Sequence, residues 1–332
     1  LSPIAAITPF NFPVLLGAHK VAPAIACGAS LTLKPPPQDP LSTELLGEVI
    51  ADCGYPAGGI NVVPCDLPVA QLLIADARVR MISFTGSVKA GWAIRAGAGT
   101  KRVALELGGN AGVIVEPDAD LARAVERCAV GGYAYAGQSC ISVQRILVHR
   151  DVYDEFLRRF VTRVGTLRTG DPLDPATEVG PMIDEAAAQR AEGWIAAAVR
   201  DGARVECGGG RARAVLEPTV LTRTSPSQQV NCEEVFAPVT TVTPYAGFDE
   251  AVARINGTAY GLQAGIFTRD VRRLMQAWER LDVGGVMGND IPSFRVDRMP
   301  YGGSKASGLG REGVRYAIQE MTEPRLLTLQ TE

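Results

Sequence analysis

Three side chains of complementary chemistry stand in bent segments of this chain. They are the amide of Asn11 in Thr8-Pro9-Phe10-Asn11-Phe12-Pro13, the carboxylate of Glu106 in Glu106-Leu107-Gly108-Gly109, and the thiol of Cys140 in Gly137-Gln138-Ser139-Cys140. Thiol chemistry on a carbonyl group calls for these types: a nucleophile, a base and an oxyanion donor. Each residue also has a plainer reading. Cys140 is one thiol among seven, and most thiols in such a chain are small core residues. Its neighbours Gly137, Gln138, Ser139 and Ser142 make an odd setting for a core thiol. Asn11 also suits an Asx turn. Glu106 ends the apolar run 103–105, where a glutamate ordinarily meets water; in an apolar cleft its pKa would rise into the range of a general base.

The elements that must position these groups alternate. In the first third, strands are expected at 3–7, 30–33, 60–63, 79–84 and 103–105. Helices are expected between them at 14–27, 41–52, 67–75 and 88–96. This rhythm predicts a parallel sheet covered by helices, the usual host of nucleotides. A second α/β region follows, with strands at 112–115, 145–149, 239–244, 265–267 and 285–287 and helices at 121–131, 153–167, 185–200, 248–256 and 271–281. Gly108-Gly109 is the expected boundary. The run 324–330, with Leu326, Leu327 and Leu329, reads as a terminal strand that pairs with a neighbouring subunit, since an exposed apolar edge is an aggregation hazard.

Composition narrows the classes. The chain has 332 residues, 46% hydrophobic and 21% charged, which suits two ordinary domains and excludes disorder. A net charge of −3 with no basic run offers nothing to nucleic acid. The apolar segments are short and broken, so no membrane span is expected, and no signal peptide is evident in the opening Leu1-Ser2-Pro3. Seven cysteines without a CxxC pair and only two histidines predict no metal site and a reduced, cytoplasmic protein.

Two segments could serve a nucleotide. Gly308-Leu309-Gly310-Arg311-Glu312-Gly313 spells GxGxxG, yet it follows a loop and too few residues remain for a βαβ unit, so it reads as a glycine-rich turn before a helix at 314–321. Ser83-Phe84-Thr85-Gly86-Ser87 is better placed. It ends a strand and opens a helix with Ser87 as N-cap, which makes a phosphate cradle. Lys34, at another strand end, reads either as a solvated lysine or as a contact to an adenosine ribose or phosphate.

Taken together, the motifs Thr8–Pro13, Leu33-Lys34-Pro35, Ser83–Ser87, Glu106–Gly109, Gly137–Cys140, Glu233–Pro238 and Pro300–Glu312 resemble the aldehyde dehydrogenase family from Leu1 to the end of the chain. The resemblance implies an α/β fold in three parts. A partial Rossmann-type cofactor domain spans 1–107, an α/β catalytic domain with a parallel sheet spans 108–306, and a C-terminal helix and oligomerisation strand spans 307–332. It implies Cys140 as nucleophile, Asn11 with the Cys140 backbone N–H as oxyanion site, and Glu106 as the base that activates water on a thioester. It implies a proton relay at Lys20 and Glu312. Cofactor contacts are implied at Thr8, Pro9, Phe10, Lys34, Gly86, Ser87, Leu107, Glu234 and Phe236, and a dimer or tetramer as the assembly.

This sequence departs from the family pattern at several points. The residue three after Lys34 is a glutamate in many NAD-using members and is Pro37 here; NAD is the expected cofactor, with NADP open. Family members carry an N-terminal segment ahead of the point where this sequence starts. Phe294-Arg295-Val296-Asp297-Arg298-Met299-Pro300-Tyr301 resembles the lactaldehyde and phosphonoacetaldehyde dehydrogenase branch. Phosphate-binding relatives often place an arginine before the nucleophile, where this chain has Ser139. The implied substrate is a small, polar aliphatic aldehyde, with Arg295 and Arg298 favouring an anionic or hydroxylated one. Two other readings stand beside this: an acylating enzyme using coenzyme A, which Glu106 argues against, and a catalytically silent relative acting as a binding or assembly partner.

Overall fold

A computed structural model describes residues 1–331, and the chain divides into two compact units. The first comprises 1–107, 295–302 and 308–332, and the second 108–294 and 303–307. The expected range 108–306 is therefore interrupted: residues 295–302 belong with the first unit. A backbone bridge between Tyr301 and Glu312 ties that segment there.

In the first unit the strands are β1 (Ile4–Ile7), β2 (Leu31–Lys34), β3 (Ile60–Val62), β4 (Met81–Thr85) and β5 (Arg102–Glu106). They lie in the order β5-β4-β1-β2-β3, all parallel, with Gly308–Leu309 added antiparallel on the outer edge of β5. Near-continuous apolar sequence in β1 and β4 matches their burial on both faces. The crossovers are helices: α1 (Pro13–Ala26), α2 (Leu41–Asp52), α3 (Leu67–Ala75) and α4 (Val88–Gly97). Pro13 starts α1 at a position where its missing N–H costs nothing, and Ser87 caps α4 by accepting from Ala90 N–H at 3.4 Å. Register places Ile7 beside Lys34 and beside Phe84, and Thr85 beside Glu106. The carboxyl ends of four parallel strands thus share one edge, where open α/β sheets bind their ligands.

The GxGxxG segment forms the Gly308–Leu309 edge strand and a turn with Gly310 and Gly313 at positive φ, followed by the helix Val314–Met321. Residues 324–330 form no strand within the chain, and Leu326, Leu327 and Leu329 there are at least three-quarters exposed. A strand needs a partner to close its ladder, and apolar side chains alone supply none.

In the second unit, β6 (Gly112–Val115) and β7 (Arg145–His149) lie at the centre of a seven-stranded sheet. Gln263–Phe267 and Gly285–Gly288 extend it on one side, and Val239–Tyr245, Thr219–Thr222 and Arg204–Cys207 on the other. All pairs are parallel except the last. Helix α5 (Leu121–Tyr133), capped by Asp120, presents Ala124, Val125 and Cys128 to the main core of this unit, against Phe156 and Phe160. Among the described residues, no helix is long and apolar enough to cross a membrane.

Candidate active site

Cys140 follows a distorted stretch of backbone. After α5 the chain makes a short 3-10 turn in which Tyr135, Ala136 and Gly137 take φ of 54°, 54° and 68° in succession. Left-handed backbone is natural for glycine but costs a tyrosine or alanine about 1–2 kcal/mol. Such strain persists only where surrounding structure enforces it, and it concentrates at functional sites. Here Gly137 is pressed on Ala237: a Cβ at this position would lie 2.1 Å from the Ala237 carbonyl oxygen. The loop ends with Ser139 and Cys140 half-buried at its tip. Cys128, by contrast, lies in the core of α5, where burial pushes its thiol far above the usual range.

The double glycine of the Glu106 motif serves the same loop. A Cβ on Gly109 would meet the Cys140 carbonyl at 2.3 Å, and one on Gly108 would meet the Glu234 carboxylate at 2.2 Å. Gly109 N–H donates to Glu234 Oε1 at 3.0 Å, and Ser307 Oγ donates to the Gly108 carbonyl at 2.7 Å. Glu234 shares an open pocket of about 220 Å³ with Ser139, Gln144 and Phe236, the last held at a φ of 49°. Burial raises the Glu234 pKa to about 7, against the pull of the Gly109 N–H and Arg190. Arg190 itself donates to the Val235 carbonyl at 2.7 Å and stacks on Trp194.

In the first unit, Glu106 ends β5 and is 5% exposed. Among the described residues its Oε2 has no hydrogen-bond partner. Burial, then the nearby Glu312, raise its pKa well above the ordinary value; Lys20, Arg295 and Arg311 act in the opposite direction. Glu312 takes the opposite course. Its burial would also raise the pKa, but Lys20 and Arg295 hold it below the ordinary range. Lys20 is almost fully buried on α1, with Nζ 3.3 Å from Glu312 Oε1 and 3.1 Å from Ser83 Oγ. Asn11 is buried in the turn that opens α1.

Thr8, Pro9 and Phe10 follow β1 directly, and Thr8 N–H donates to the Lys34 carbonyl. Lys34 is 9% exposed, so the solvated reading of it does not hold. Thr8 Oγ1 and Thr85 Oγ1 are buried at the carboxyl edge of this sheet and, among the described residues, have no partner. Gly86 is confined by the Phe84 ring, 2.5 Å from where a Cβ would stand. Leu107 is buried and packs against α4, where a Cβ on Gly91 would lie 2.4 Å from its side chain.

The first unit thus assembles Glu106, Glu312 and Lys20, together with Asn11 and the strand-end residues. The second assembles Cys140, Glu234 and Phe236. Sequence reasoning missed His19 and Arg295 as partners of Glu312, although His19 adjoins Lys20. It also missed Arg190 beside Glu234, and the buried Arg145, whose guanidinium donates to the carbonyls of Asn110, Arg254 and Ile255 behind the Gly109 turn.

Residues 1–327 match the aldehyde dehydrogenase family. The chain is 43% identical over 327 residues to 3-sulfolactaldehyde dehydrogenase of Priestia megaterium, covering 98% of this chain and 69% of that protein. It is 39% identical over 333 residues to lactaldehyde dehydrogenase of Methanococcus aeolicus, covering 99% and 71%. Among solved structures, aldehyde dehydrogenase 21 of Physcomitrella patens, in complex with its reaction product succinate, superposes with a TM-score of 0.95 at 44% identity, over 97% of this chain and 67% of that one. Glyceraldehyde-3-phosphate dehydrogenase of Methanocaldococcus jannaschii, complexed with NADP, gives 0.92 at 41%, over 96% and 70%. An aldehyde dehydrogenase of Mycobacterium tuberculosis complexed with NAD+ gives 0.93 at 34%, over 96% and 67%.

Proposed function

Because the chain belongs to the aldehyde dehydrogenase family, we propose that it oxidises a small, polar aliphatic aldehyde to its acid through Cys140, with NAD or NADP as the cofactor. The observation that carries this reading is the delivery of Cys140 on three consecutive left-handed residues, away from the core that holds Cys128.

In this reading the Cys140 thiolate adds to the aldehyde carbon. The Asn11 amide and the Cys140 N–H stabilise the oxygen of the thiohemiacetal as it gains charge. A nicotinamide held by the residues named below would supply the hydride acceptor. Loss of hydride leaves a thioester on Cys140, and Glu106 takes a proton from the water that displaces the acid and restores the thiol. A carboxyl group with a pKa well above its ordinary value is suited to both taking and giving that proton near neutrality. Lys20 and Glu312 carry the proton onward.

The first unit fits a dinucleotide by its own features. The hydroxyls of Thr8 and Thr85, without partners among the described residues, the buried Lys34 and the α4 N-terminus at Gly86 and Ser87 all lie at the carboxyl edge of the sheet. Pro9, Phe10 and Leu107 would flank it with apolar surface, and Glu234 and Phe236 would hold the nicotinamide ribose and ring. Pro37 places no carboxylate three residues after Lys34, which keeps NADP compatible; NAD remains the preferred cofactor.

Of the two arginines expected to favour an anionic substrate, Arg295 is engaged by Glu312 and His19, whereas Arg298 is exposed. Arg298 is therefore the better candidate. Cofactor reduction with lactaldehyde and glycolaldehyde, beside a Cys140→Ala control, tests the whole reading. Faster turnover of long-chain or aromatic aldehydes overturns the substrate class, and an unaffected control overturns the nucleophile. The leucines of 324–330 suit pairing with a second copy, and sedimentation of the protein with and without these residues tests that assembly.

A further inference from the structure

His19 and Lys20 are neighbours on α1, and both meet one carboxylate. Lys20 Nζ lies 3.3 Å from Glu312 Oε1, and His19 Nδ1 lies 3.3 Å from Glu312 Oε2. Arg295 completes the set, with Nη2 3.0 Å from Glu312 Oε2 and 2.7 Å from His19 Nδ1. A guanidinium has donors only, so His19 Nδ1 must accept. The imidazole is then the Nε2–H tautomer, and that N–H faces Asp297 Oδ1 at 3.3 Å. A protonated ring would turn a hydrogen on Nδ1 toward Arg295, so the contact belongs to the neutral ring. Arg295 also stacks on Tyr301 at 3.8 Å, and Tyr301 exchanges two backbone hydrogen bonds with Glu312.

This clamp borders Glu106. Glu106 and Glu312 line one cavity of about 310 Å³ with His19, Lys20, Ser83 and Arg311. We propose that Arg295 and His19 are positioning residues: His19 accepts from Arg295 and orients it, and Arg295, with Lys20, holds Glu312 ionised and through it governs proton exchange at Glu106. The inference rests on the reading of Glu106 as the hydrolytic base. The titratable and charged groups facing the two carboxylates are the neutral His19 and the cationic Lys20 from α1, Arg295 from its returning segment, Arg311, and Glu320 from the helix 314–321. Asp297 stands behind the imidazole. Two carboxylates at one cavity share these cations and titrate as a pair. With Arg295 neutralised, the pair has one cation fewer and keeps its proton to higher pH.

The test is hydrolysis of 4-nitrophenyl acetate, an ester that acylates Cys140 without nicotinamide, followed as a function of pH. Arg295→Met is expected to move the acid limb upward by about 1 pH unit. Arg295→Lys is expected to restore most of that shift, and Arg315→Met, an exposed charge on the helix 314–321, to leave the limb in place. The second measurement needs no variant at the clamp. The chain has only two histidines, so ring 15N shifts, with His149→Gln for assignment, report the His19 tautomer. Nε2–H supports the clamp, and Nδ1–H overturns it. An unmoved limb in folded Arg295→Met overturns it too, while leaving Glu106 as the base. Full hydrolysis by Glu106→Gln removes the base itself, and the inference with it. Should Arg295→Met fail to fold, the tautomer alone decides.

Discussion

Each unit of this molecule takes a carboxylate out of water, and the two do so differently. Glu234, in the second unit, has one backbone N–H on Oε1 and the more distant attraction of Arg190; its pKa settles at about 7. Glu312, in the first, has Lys20, Arg295 and His19 around it and falls below its ordinary range despite deeper burial. Glu106 lines the same cavity as Glu312 and is driven upward. Burial alone therefore does not set the protonation state. The cations of the first unit are committed to one carboxylate, and the other is shifted upward by its burial and by that neighbour. A site that must pass a proton benefits from such an unequal pair.

The largest effect should come from breaking the pair at Glu106. In Glu106→Gln the amide keeps the shape but takes no proton from water, so acid release is expected to fall about 10²–10⁴-fold. Alkylation of Cys140 should proceed in the same variant, because thiol and carboxylate belong to separate steps. Steady-state rates beside iodoacetamide labelling check this. Loss of labelling together with turnover would assign Glu106 to activation of the thiol instead.

Next in size is the loop that presents Cys140. Gly137→Ala adds a methyl group 2.1 Å from a backbone oxygen at a φ of 68°, and no flexible side chain is there to yield. The expected cost is about 1–3 kcal/mol in chemical denaturation, with loss of turnover. Gly108→Ala meets the movable end of Glu234 and should cost less, chiefly by displacing that carboxylate.

Much of this architecture was legible. The βαβα rhythm of the first third predicted the parallel sheet, and helices such as 41–52, 67–75, 185–200 and 248–256 matched their apolar spacing. The strand Thr219–Thr222 was not anticipated; it is buried between two neighbours and has no alternation to mark it. The left-handed run at Tyr135 and Ala136 gave no signal, since neither residue type favours that backbone. Arg295 and His19 lie 276 residues apart, and only the return of 295–302 to the first unit joins them. Local periodicity placed the elements, and short motifs at their ends marked the candidate side chains. The partners that tune them depend on tertiary packing.

Stability against pH sharpens the contrast between the two carboxylates. Glu234 is raised from the ordinary 4.5 to about 7 in the folded chain. Between those values the unfolded chain has released its proton and the folded chain has not, so stability falls as pH rises through this window and levels off above it. Glu234→Gln mimics the protonated acid and should flatten that decline, by about 2 kcal/mol once partial exposure to water is allowed for. For Glu312 the sign reverses. Its folded pKa lies low, so its contribution is present above the ordinary carboxylate range and is lost as pH falls through the folded value. Glu312→Gln should therefore lose stability at neutral pH and little in strong acid. Denaturation midpoints across pH separate the two.

The smallest effect is expected at Ser87, and its smallness is informative. The side chain is exposed and accepts from Ala90 N–H at 3.4 Å, the long end of the range. Asp120 caps α5 with a carboxylate that accepts from Arg123 N–H at 3.0 Å. An N-cap removed to alanine costs about 0.5–2 kcal/mol, and the geometry puts Ser87→Ala at the lower end. If Ser87 holds a pyrophosphate, the same change should weaken cofactor binding by more than it weakens folding. Titration with NAD and NADP, beside thermal unfolding without cofactor, compares the two losses. Equal losses would make Ser87 a helix cap and nothing more.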